Sequence, residues 1–532
     1  MDISVADPTR ASVTSPPPRR LTAALAGVLA AAAALATGEL AAGVARVFVS
    51  PVEAVAESII DLAPGPVERF AVETFGSDNK LVLVAGTLVI AALLGAVLGM
   101  AARRRPLVGV AGLAVLGVLG VGATLFRGGE VLAAVPSVMA ALGGAIALLA
   151  LLRAAPGPAA ASEEGASGGG GLGRAGAGSR RSFLILAGSV AAATAASAAG
   201  GRALATRFTA ASSRAVVTVP SAAQSLSPIS DGVSFGIDGV APFVTPFDQF
   251  YRVDTALTIP QVPVEGWTLS VGGMVVDRLD LSYDDLLDRE LVDADITLSC
   301  VSNTVGGDLV GHARWTGVRL ADLLDEAGVD PAADQVVGRS VDRYTCGFPV
   351  EAAYDRDTLV AVGMNGEPLP IERGFPARLV TPGLYGYVSA TKWLSAIELT
   401  TFDAFDQYWV PRGWDEQAPV KTMARIDVPR SLESIPPGET DIAGVAWAQT
   451  RGIEQVEVRI DDGDWVSAEL AEASGADAWR QWRLRWDATP GPHRISVRAT
   501  DGTGELQTEE RAEPFPNGAS GWMTLRITVD DA

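Results

Sequence analysis

Five apolar stretches fill most of the first 205 residues: Leu21–Val44, Leu81–Ala102, Leu107–Phe126, Val131–Leu152 and Phe183–Ala205. Each is close to the roughly 20 residues that an α-helix needs to cross a hydrocarbon core. None carries a polar stripe, so the sequence predicts five membrane spans rather than the helices of a water-soluble core. The fifth is the most dominated by small residues, between Ala191 and Gly201. The spans hold no histidine, so none can carry a haem between two imidazoles, and Glu39 is their one carboxylate. As a sequence, this part reads as an anchor.

Basic residues give the orientation. Arg19–Arg20, Arg103–Arg105 and the group Arg153, Arg174, Arg180, Arg181 fall on alternate loops, and loops rich in arginine face the cytoplasm. The loop with Glu53, Glu57, Asp61, Glu68, Glu73 and Asp78 is then outside, and so is everything after the fifth span. Between the fourth and fifth spans, Ala154–Gly178 is nearly all Ala, Gly, Ser and Pro, the composition of a flexible linker. It leads into Ser179-Arg180-Arg181-Ser182-Phe183-Leu184, which resembles a twin-arginine export signal, here internal (179–184). Such export carries folded proteins, often with a cofactor already installed.

Charge separates the chain into two parts. Through Ala205 there are 15 basic and 12 acidic residues; the remainder has 26 and 50. An acidic body is a poor nucleic-acid binder. Two histidines, His312 and His493, and two cysteines, Cys300 and Cys346, occur in the whole chain. This excludes a zinc finger, a c-type haem attachment and a four-cysteine iron–sulfur site.

The acidic body alternates short strands with turns. Trp267–Val271 reads as a strand with Gly272-Gly273 as its turn, and Tyr283–Leu287 and Leu320–Ala327 read as short helices, the second ending at Gly328. Ile296–Ser299 runs as a strand into Cys300, followed by Val301-Ser302-Asn303 and Gly306-Gly307, a position where loops carry chemistry. Two readings of Cys300 compete: a disulfide with Cys346, natural in an oxidising compartment, and a thiolate ligand to a soft metal. His312 is expected in a surface loop. From Pro419 onward, Val456–Ile460 and Arg494–Arg498 alternate between turn clusters, the rhythm of a β-sandwich, with Trp447, Trp465, Trp479, Trp482 and Trp486 expected in packing.

Cys300 within Thr-Leu-Ser-Cys-Val-Ser-Asn, followed by Ala313–Val318 and Leu320-x-Asp322-Leu323-Leu324, resembles the sulfite oxidase family of molybdopterin oxidoreductases. Further blocks occur in that family's order: Phe250-Tyr251-Arg252, Met364–Pro370, Gly374–Leu379, Pro382–Gly386 with Lys392-Trp393-Leu394, and finally Gly444–Trp447, Val456–Val458 and Val497–Asp501. The likeness covers about Phe247–Val529. It implies a molybdenum–molybdopterin cofactor, with Cys300 as the metal's protein ligand and a catalytic residue. Arg252 would be a second catalytic residue beside the metal. Phe250, Tyr251, Arg252, Cys300, Arg373, Arg378 and Lys392 would contact the cofactor. A soft, deprotonated sulfur suits molybdenum, and guanidinium and ammonium groups suit a pterin phosphate. Two departures stand out. Arg373 occupies a position that is commonly His, or Asn in one branch. Arg412-Gly413-Trp414 puts an indole where sulfite-oxidising members carry a tyrosine, which argues against sulfite.

The expected architecture is multi-domain. A five-helix transmembrane anchor (1–205) and a connector (206–246) precede an α+β molybdopterin domain (247–418) and an immunoglobulin-like β-sandwich (419–532). The expected protein is a multi-pass cell-membrane oxidoreductase with its catalytic part extracytoplasmic. It would act on a small oxyanion or an S-/N-oxide without haem or nucleic acid, exchange electrons with a separate partner, and be compatible with a homodimer through the C-terminal domain. The alternative is a non-catalytic adhesion or binding protein, membrane-anchored and closed by a Cys300–Cys346 disulfide. If the internal arginine pair is an export signal, replacing Arg180 and Arg181 by lysine retains the positive flank. Delivery of the body to the outer face is then expected to fall by about tenfold or more. Protease accessibility on intact cells measures it, and undiminished delivery of cofactor-loaded protein refutes the signal.

Overall fold

The computed structural model describes residues 20–75, 79–156 and 180–531. The linker beyond Pro156, and Ser179 of the arginine motif, lie outside the described residues. The chain forms two compact units, Met1–Phe208 and Thr209–Ala532.

In the first unit the helices are α1 (Arg20–Ala42), α2 (Pro51–Leu62), α3 (Gly65–Phe75), α4 (Asn79–Ala102), α5 (Pro106–Phe126), α6 (Val135–Ala154) and α7 (Arg180–Ala205). By length and composition, α1, α4, α5, α6 and α7 can cross a membrane. Helix α1 packs on α4, α6 and α7 through small residues, with Ala23, Ala26, Gly27, Ala30 and Ala31 buried. Contact is close enough that a methyl on Gly27 would stand 1.9 Å from the Gly95 carbonyl oxygen. Such small-residue seams hold helices together where no hydrophobic effect drives them. The acidic segment after α1, read from sequence only as a loop, forms α2 and α3. Ser50 caps α2, its hydroxyl accepting from Glu53 N–H at 3.3 Å, and Pro51 occupies the first turn, where a missing N–H costs nothing. Arg127, just past α5, pairs with Glu57 of α2 at 3.1 Å and also with Asp61.

The second unit is built from nineteen strands among the described residues. Those of the first part are β1 (Thr268–Gly273), β2 (Leu279–Ser282), β3 (Leu291–Ser299), β4 (Val310–Arg319), β5 (Gln335–Ser340), β6 (Thr345–Pro349), β7 (Leu359–Met364), β8 (Glu367–Pro368), β9 (Arg378–Val380) and β10 (Leu394–Thr400). They make two sheets, ordered β2-β1-β10-β5-β6 and β3-β4-β7-β8, with β9 also on β7. The short helices Tyr283–Leu287 and Leu320–Ala327 form as expected; the second is closed by Gly328 at φ +67°. Gly272 and Gly273, expected as a turn, instead finish β1, paired to β10. A Cβ on Gly273 would meet the Leu399 carbonyl at 2.2 Å, so glycine there serves close strand approach.

The remaining strands are β11 (Met423–Val428), β12 (Ser434–Ile435), β13 (Gly438–Trp447), β14 (Ile453–Ile460), β15 (Val466–Ser467), β16 (Glu469–Leu470), β17 (Arg480–Ala488), β18 (Gly491–Asp501) and β19 (Met523–Val529). They form two further sheets, β11-β13-β17-β16 and β12-β19-β18-β14-β15. A core of Ile442, Ala446, Val456, Val458, Trp482, Ile495, Val497 and Leu525 belongs to these sheets alone. Trp447 and Trp479 point the other way, into the core shared with Leu269, Leu323, Val336 and Leu379. Trp465 and Trp486 are half-buried. Thr209–Gly232 is docked, not loose: Arg214 donates to the Leu369 and Pro368 carbonyls at 2.8 and 2.7 Å.

His312 corrects the sequence expectation. It lies inside β4, fully buried, with Phe243 and Trp479 rings 4.4 and 6.2 Å away. Its Nδ1 is 3.0 Å from the Thr297 hydroxyl. Strand β4 is buried on both faces, so His312 is enclosed by its place in the sheet, which a loop assignment misses. Burial holds its pKa down at about 4, against an ordinary 6.5. A neutral histidine is thus required by the fold, whereas the unfolded chain takes up a proton once the pH drops below about 6.5. Stability contributed by the neutral ring is complete above that pH and lost progressively toward pH 4, amounting to about 3 kcal/mol. The variant His312→Gln, which retains an acceptor, is expected to flatten this acid loss. Thermal unfolding of the full chain followed by tryptophan fluorescence between pH 7 and 4.5 measures it, and identical slopes in both proteins refute it.

Candidate functional site

Strand β3 is buried along nearly its whole length and delivers Cys300 at its end. The turn that follows is self-supporting. Cys300 N–H donates to the Leu309 carbonyl at 2.9 Å, Asn303 N–H returns to the Cys300 carbonyl at 3.1 Å, and the Asn303 amide oxygen accepts from Leu309 N–H at 3.0 Å. Gly306 turns the loop at φ +79°, and the Gly307 carbonyl accepts from Arg425 of β11 at 3.0 Å. The strand itself is held from behind: Thr297 O accepts from Gln449, and Thr297 Oγ1 accepts from Trp479 N–H, both at 2.8 Å. A rigid strand end is therefore presented with one sulfur on it.

That sulfur is a free thiol, as is Cys346. The disulfide alternative is corrected by topology. Cys346 sits on β6 in the other sheet, opposite Gly338 of β5, where its Sγ accepts from the Thr391 hydroxyl at 3.0 Å. Burial raises the Cys300 thiol, while hydrogen bonds from Ser302 and the Lys392 charge pull it down.

Around Cys300 the structure gathers most of the residues expected from sequence. Phe250 stacks on Tyr251 at 5.5 Å and meets Trp315 edge-on at 6.0 Å. The Tyr251 phenol is raised by burial and by the neighbouring Cys300, with Arg378 and Arg373 opposing. Gly386 faces it: a Cβ there would stand 3.7 Å from the Tyr251 hydroxyl and 3.8 Å from the Ser299 carbonyl. Arg378 is buried over the Trp315 ring at 5.0 Å, and desolvation pulls its pKa down to about 10. It donates to the Arg373 carbonyl at 3.1 Å.

Arg373 and Lys392, expected from sequence as cofactor contacts, hold groups of the chain itself in this structure. Arg373 directs its two terminal nitrogens to the carbonyls of Tyr251 and Phe247, at 2.6 and 2.8 Å, and only its Nε is buried without a partner. Lys392 Nζ donates to the Val253 carbonyl at 3.1 Å and to Asp254 at 2.9 Å. Both side chains thus hold the irregular segment that carries Arg252. Arg252 is half-exposed, 3.6 Å from the Asp254 carboxylate. Sequence reasoning passed over Asp254, although the Arg252-Val253-Asp254 charge pair signals it. It also passed over Tyr344 and Tyr385, whose phenols both feel the Cys300 sulfur. Trp414 packs against Tyr387, Trp409 and Phe515 at 5.7, 6.1 and 5.3 Å, which makes it part of an aromatic cluster.

The charge balance is one-sided. Among the described residues neither Arg373 nor Arg378 has a carboxylate partner, and Asp254 alone serves both Arg252 and Lys392. Uncompensated buried cations cost several kcal/mol each, so the arrangement suits an anionic group seated against Arg378. No three His, Cys, Asp or Glu side chains converge among the described residues. A metal at Cys300 would therefore draw its other donors from a cofactor, which the pterin sulfurs provide. The residues fit the implied group.

Comparison with known proteins agrees with this chemistry. The family described as oxidoreductase molybdopterin binding domain matches residues 256–409. Mitochondrial sulfite oxidase of Macaca fascicularis is 28% identical over 303 residues, covering 48% of this chain and 55% of that protein. The chain thus spans about half the length of the mitochondrial sulfite oxidases it matches. An uncharacterized oxidoreductase of Bacillus subtilis, YuiH, is 33% identical over 148 residues, covering 28% of this chain and 72% of the relative. A crystal structure of the sulfane dehydrogenase SoxCD from Paracoccus pantotrophus aligns with 56% of this chain and 85% of its own at 22% identity and TM-score 0.48.

With both sulfurs free, alkylation of the denatured chain without reductant is expected to add two labels, and prior reduction to add none further. Intact mass measures the labels. A chain that accepts label only after reduction would restore the disulfide reading.

Proposed function

The chain belongs to the sulfite oxidase family of molybdopterin-dependent oxidoreductases, and we propose that it works as a membrane-anchored molybdoenzyme with its β-rich body extracytoplasmic. The observation that carries the enzymatic reading is the buried, carboxylate-free Arg378, which shares Tyr251 as a neighbour with a free thiol at the end of a rigid strand. Cys300 would bind molybdenum through its thiolate, and Arg378 would take the pterin phosphate, assisted by the charges of Lys392 and Arg373. Phe250 and Tyr251 would wall the site and exclude water. The cofactor, when bound, supplies two-electron oxygen-atom transfer between water and a small substrate. Arg252, exposed enough to meet solvent, would attract an oxyanion or the oxygen of an S-oxide or N-oxide and stabilise charge during the transfer.

Sulfite itself is disfavoured as the substrate. Trp414 offers no phenol and is packed among other aromatic rings. Five helices able to cross a membrane support the anchor, and alternating arginine clusters support an outer body. The C-terminal sheets from β11 to β19 support an immunoglobulin-like domain at about 419–532, through which a homodimer would form. Electrons would pass to or from a separate redox partner, since the sequence offers no haem or iron–sulfur motif.

Metal analysis of the full chain purified in detergent tests the core of this reading. About one molybdenum per chain is expected, falling at least tenfold in Cys300→Ser, while Cys346→Ser retains it. A metal-free wild-type protein expressed where the cofactor is made would refute the proposal.

A further inference from the structure

Between the long helices α1 and α4, the short helices α2 and α3 carry their side chains the wrong way round for water. On α2 the carboxylates of Glu57 and Asp61 turn inward to Arg127 at the end of α5, Glu57 at 3.1 Å. The Glu57 and Arg127 side chains are only 14% and 13% exposed, whereas Leu62 of the same helix is 68% exposed and Ile59 47%. A helix facing solvent shows the opposite arrangement, with charge outside and the apolar stripe in the core. On α3, Val67 and Phe70 are three residues apart, hence on one face, and both are exposed, Phe70 by 62%. Phe75 meets Phe70 edge-on at 6.4 Å, and Val44 and Val131 on neighbouring loops are exposed as well.

The start of α2 also lies low in the bundle. Pro51 packs on Gly38, where a Cβ would stand 2.8 Å from the proline Cγ. Gly38 is four residues, about 6 Å, short of the end of α1. Ser50 donates its hydroxyl to the Glu39 carboxylate, and Val49 N–H donates to the Ala133 carbonyl at 3.1 Å. The pair of helices therefore begins within the apolar length of α1, and α3 ends four residues before α4.

Resting on the membrane anchor of the proposed function, we propose that α2 and α3 form a hairpin lying in the outer lipid–water interface, with the bilayer as the partner of its exposed apolar face. Ile59, Leu62, Val67 and Phe70 enter the acyl boundary, while Arg127 holds the α2 carboxylates away from it. Continuity decides the occupant: the hairpin runs between two helices of membrane-crossing length, α1 and α4.

Nitroxide labelling of the full chain in phosphatidylcholine bilayers tests it. Both native cysteines are buried, and the unsubstituted chain sets the background. Labels on Leu62→Cys and Phe70→Cys are expected to collide with dissolved oxygen in preference to a water-soluble nickel chelate, at a depth of about 5–10 Å below the headgroups. Leu93→Cys, exposed on α4, marks the span, and Val276→Cys, exposed between β1 and β2, marks water. If Phe70→Cys does not accumulate, Val67→Cys replaces it on the same face. Leu62 and Phe70 labels as open to the chelate as the Val276 label overturn the inference. So do labels shielded from both reagents, which would put protein, the acidic body or a second copy, on this face. A Leu93 label open to the chelate overturns the membrane anchor itself, and this inference with it.

Discussion

Thr297 is a junction of three elements, and the geometry at Cys300 depends on it. Its amide donates to the Asp477 carbonyl at 2.9 Å, its carbonyl accepts from Gln449, and its hydroxyl lies between Trp479 N–H and His312 Nδ1. Three residues further along β3 is the sulfur. Hydrogen bonds buried in this way contribute little net energy when made but cost about 1–3 kcal/mol each when one partner is lost. The cluster therefore fixes the register of β3 against the later sheets more firmly than apolar contact alone would. The metal-ligand role proposed for Cys300 would benefit, because such a side chain must be held to a fraction of an ångström by its surroundings.

The electrostatics follow a similar division. Carboxylates dominate the surface of the acidic part of the chain, yet the neighbourhood of Cys300 holds four cations and one well-buried carboxylate. Desolvation depresses Arg378 and Lys392 together, to about 10 and about 8. Opposed charges elsewhere, such as the Arg451–Asp501 pair at 2.7 Å, are closed on themselves. Around Cys300, Arg373 and Arg378 have no carboxylate partner among the described residues, which is the balance an anion-binding site would need.

Much of this was legible in the residue order. Hydrophobic length marked the five long helices, period-2 alternation marked β14 and β18, and Gly328 marked the end of its helix. These are local signals, carried by residues whose neighbours in sequence are their neighbours in space. What escaped depended on distant partners. His312 needed the burial of β4 on both faces and the later Trp479 to be recognised as a core residue. The Phe247 and Tyr251 carbonyls that Arg373 holds lie more than a hundred residues earlier, out of reach of any local pattern. Helices α2 and α3 were hidden by their acidic residues, two of which turn out to face Arg127. The role of Cys300 could be weighed against a disulfide only from the surrounding motif, since two lone cysteines are equally consistent with either.

The tie between Arg425 of β11 and the Gly307 carbonyl limits how this protein could be shortened. A chain ended after the first two sheets would leave the loop beyond Cys300 without its outer brace, and would open a cleft where Trp447 and Trp479 now sit. The later sheets are thus no detachable accessory. A shortened chain would have to replace both tryptophans and the guanidinium at once to keep that loop in place.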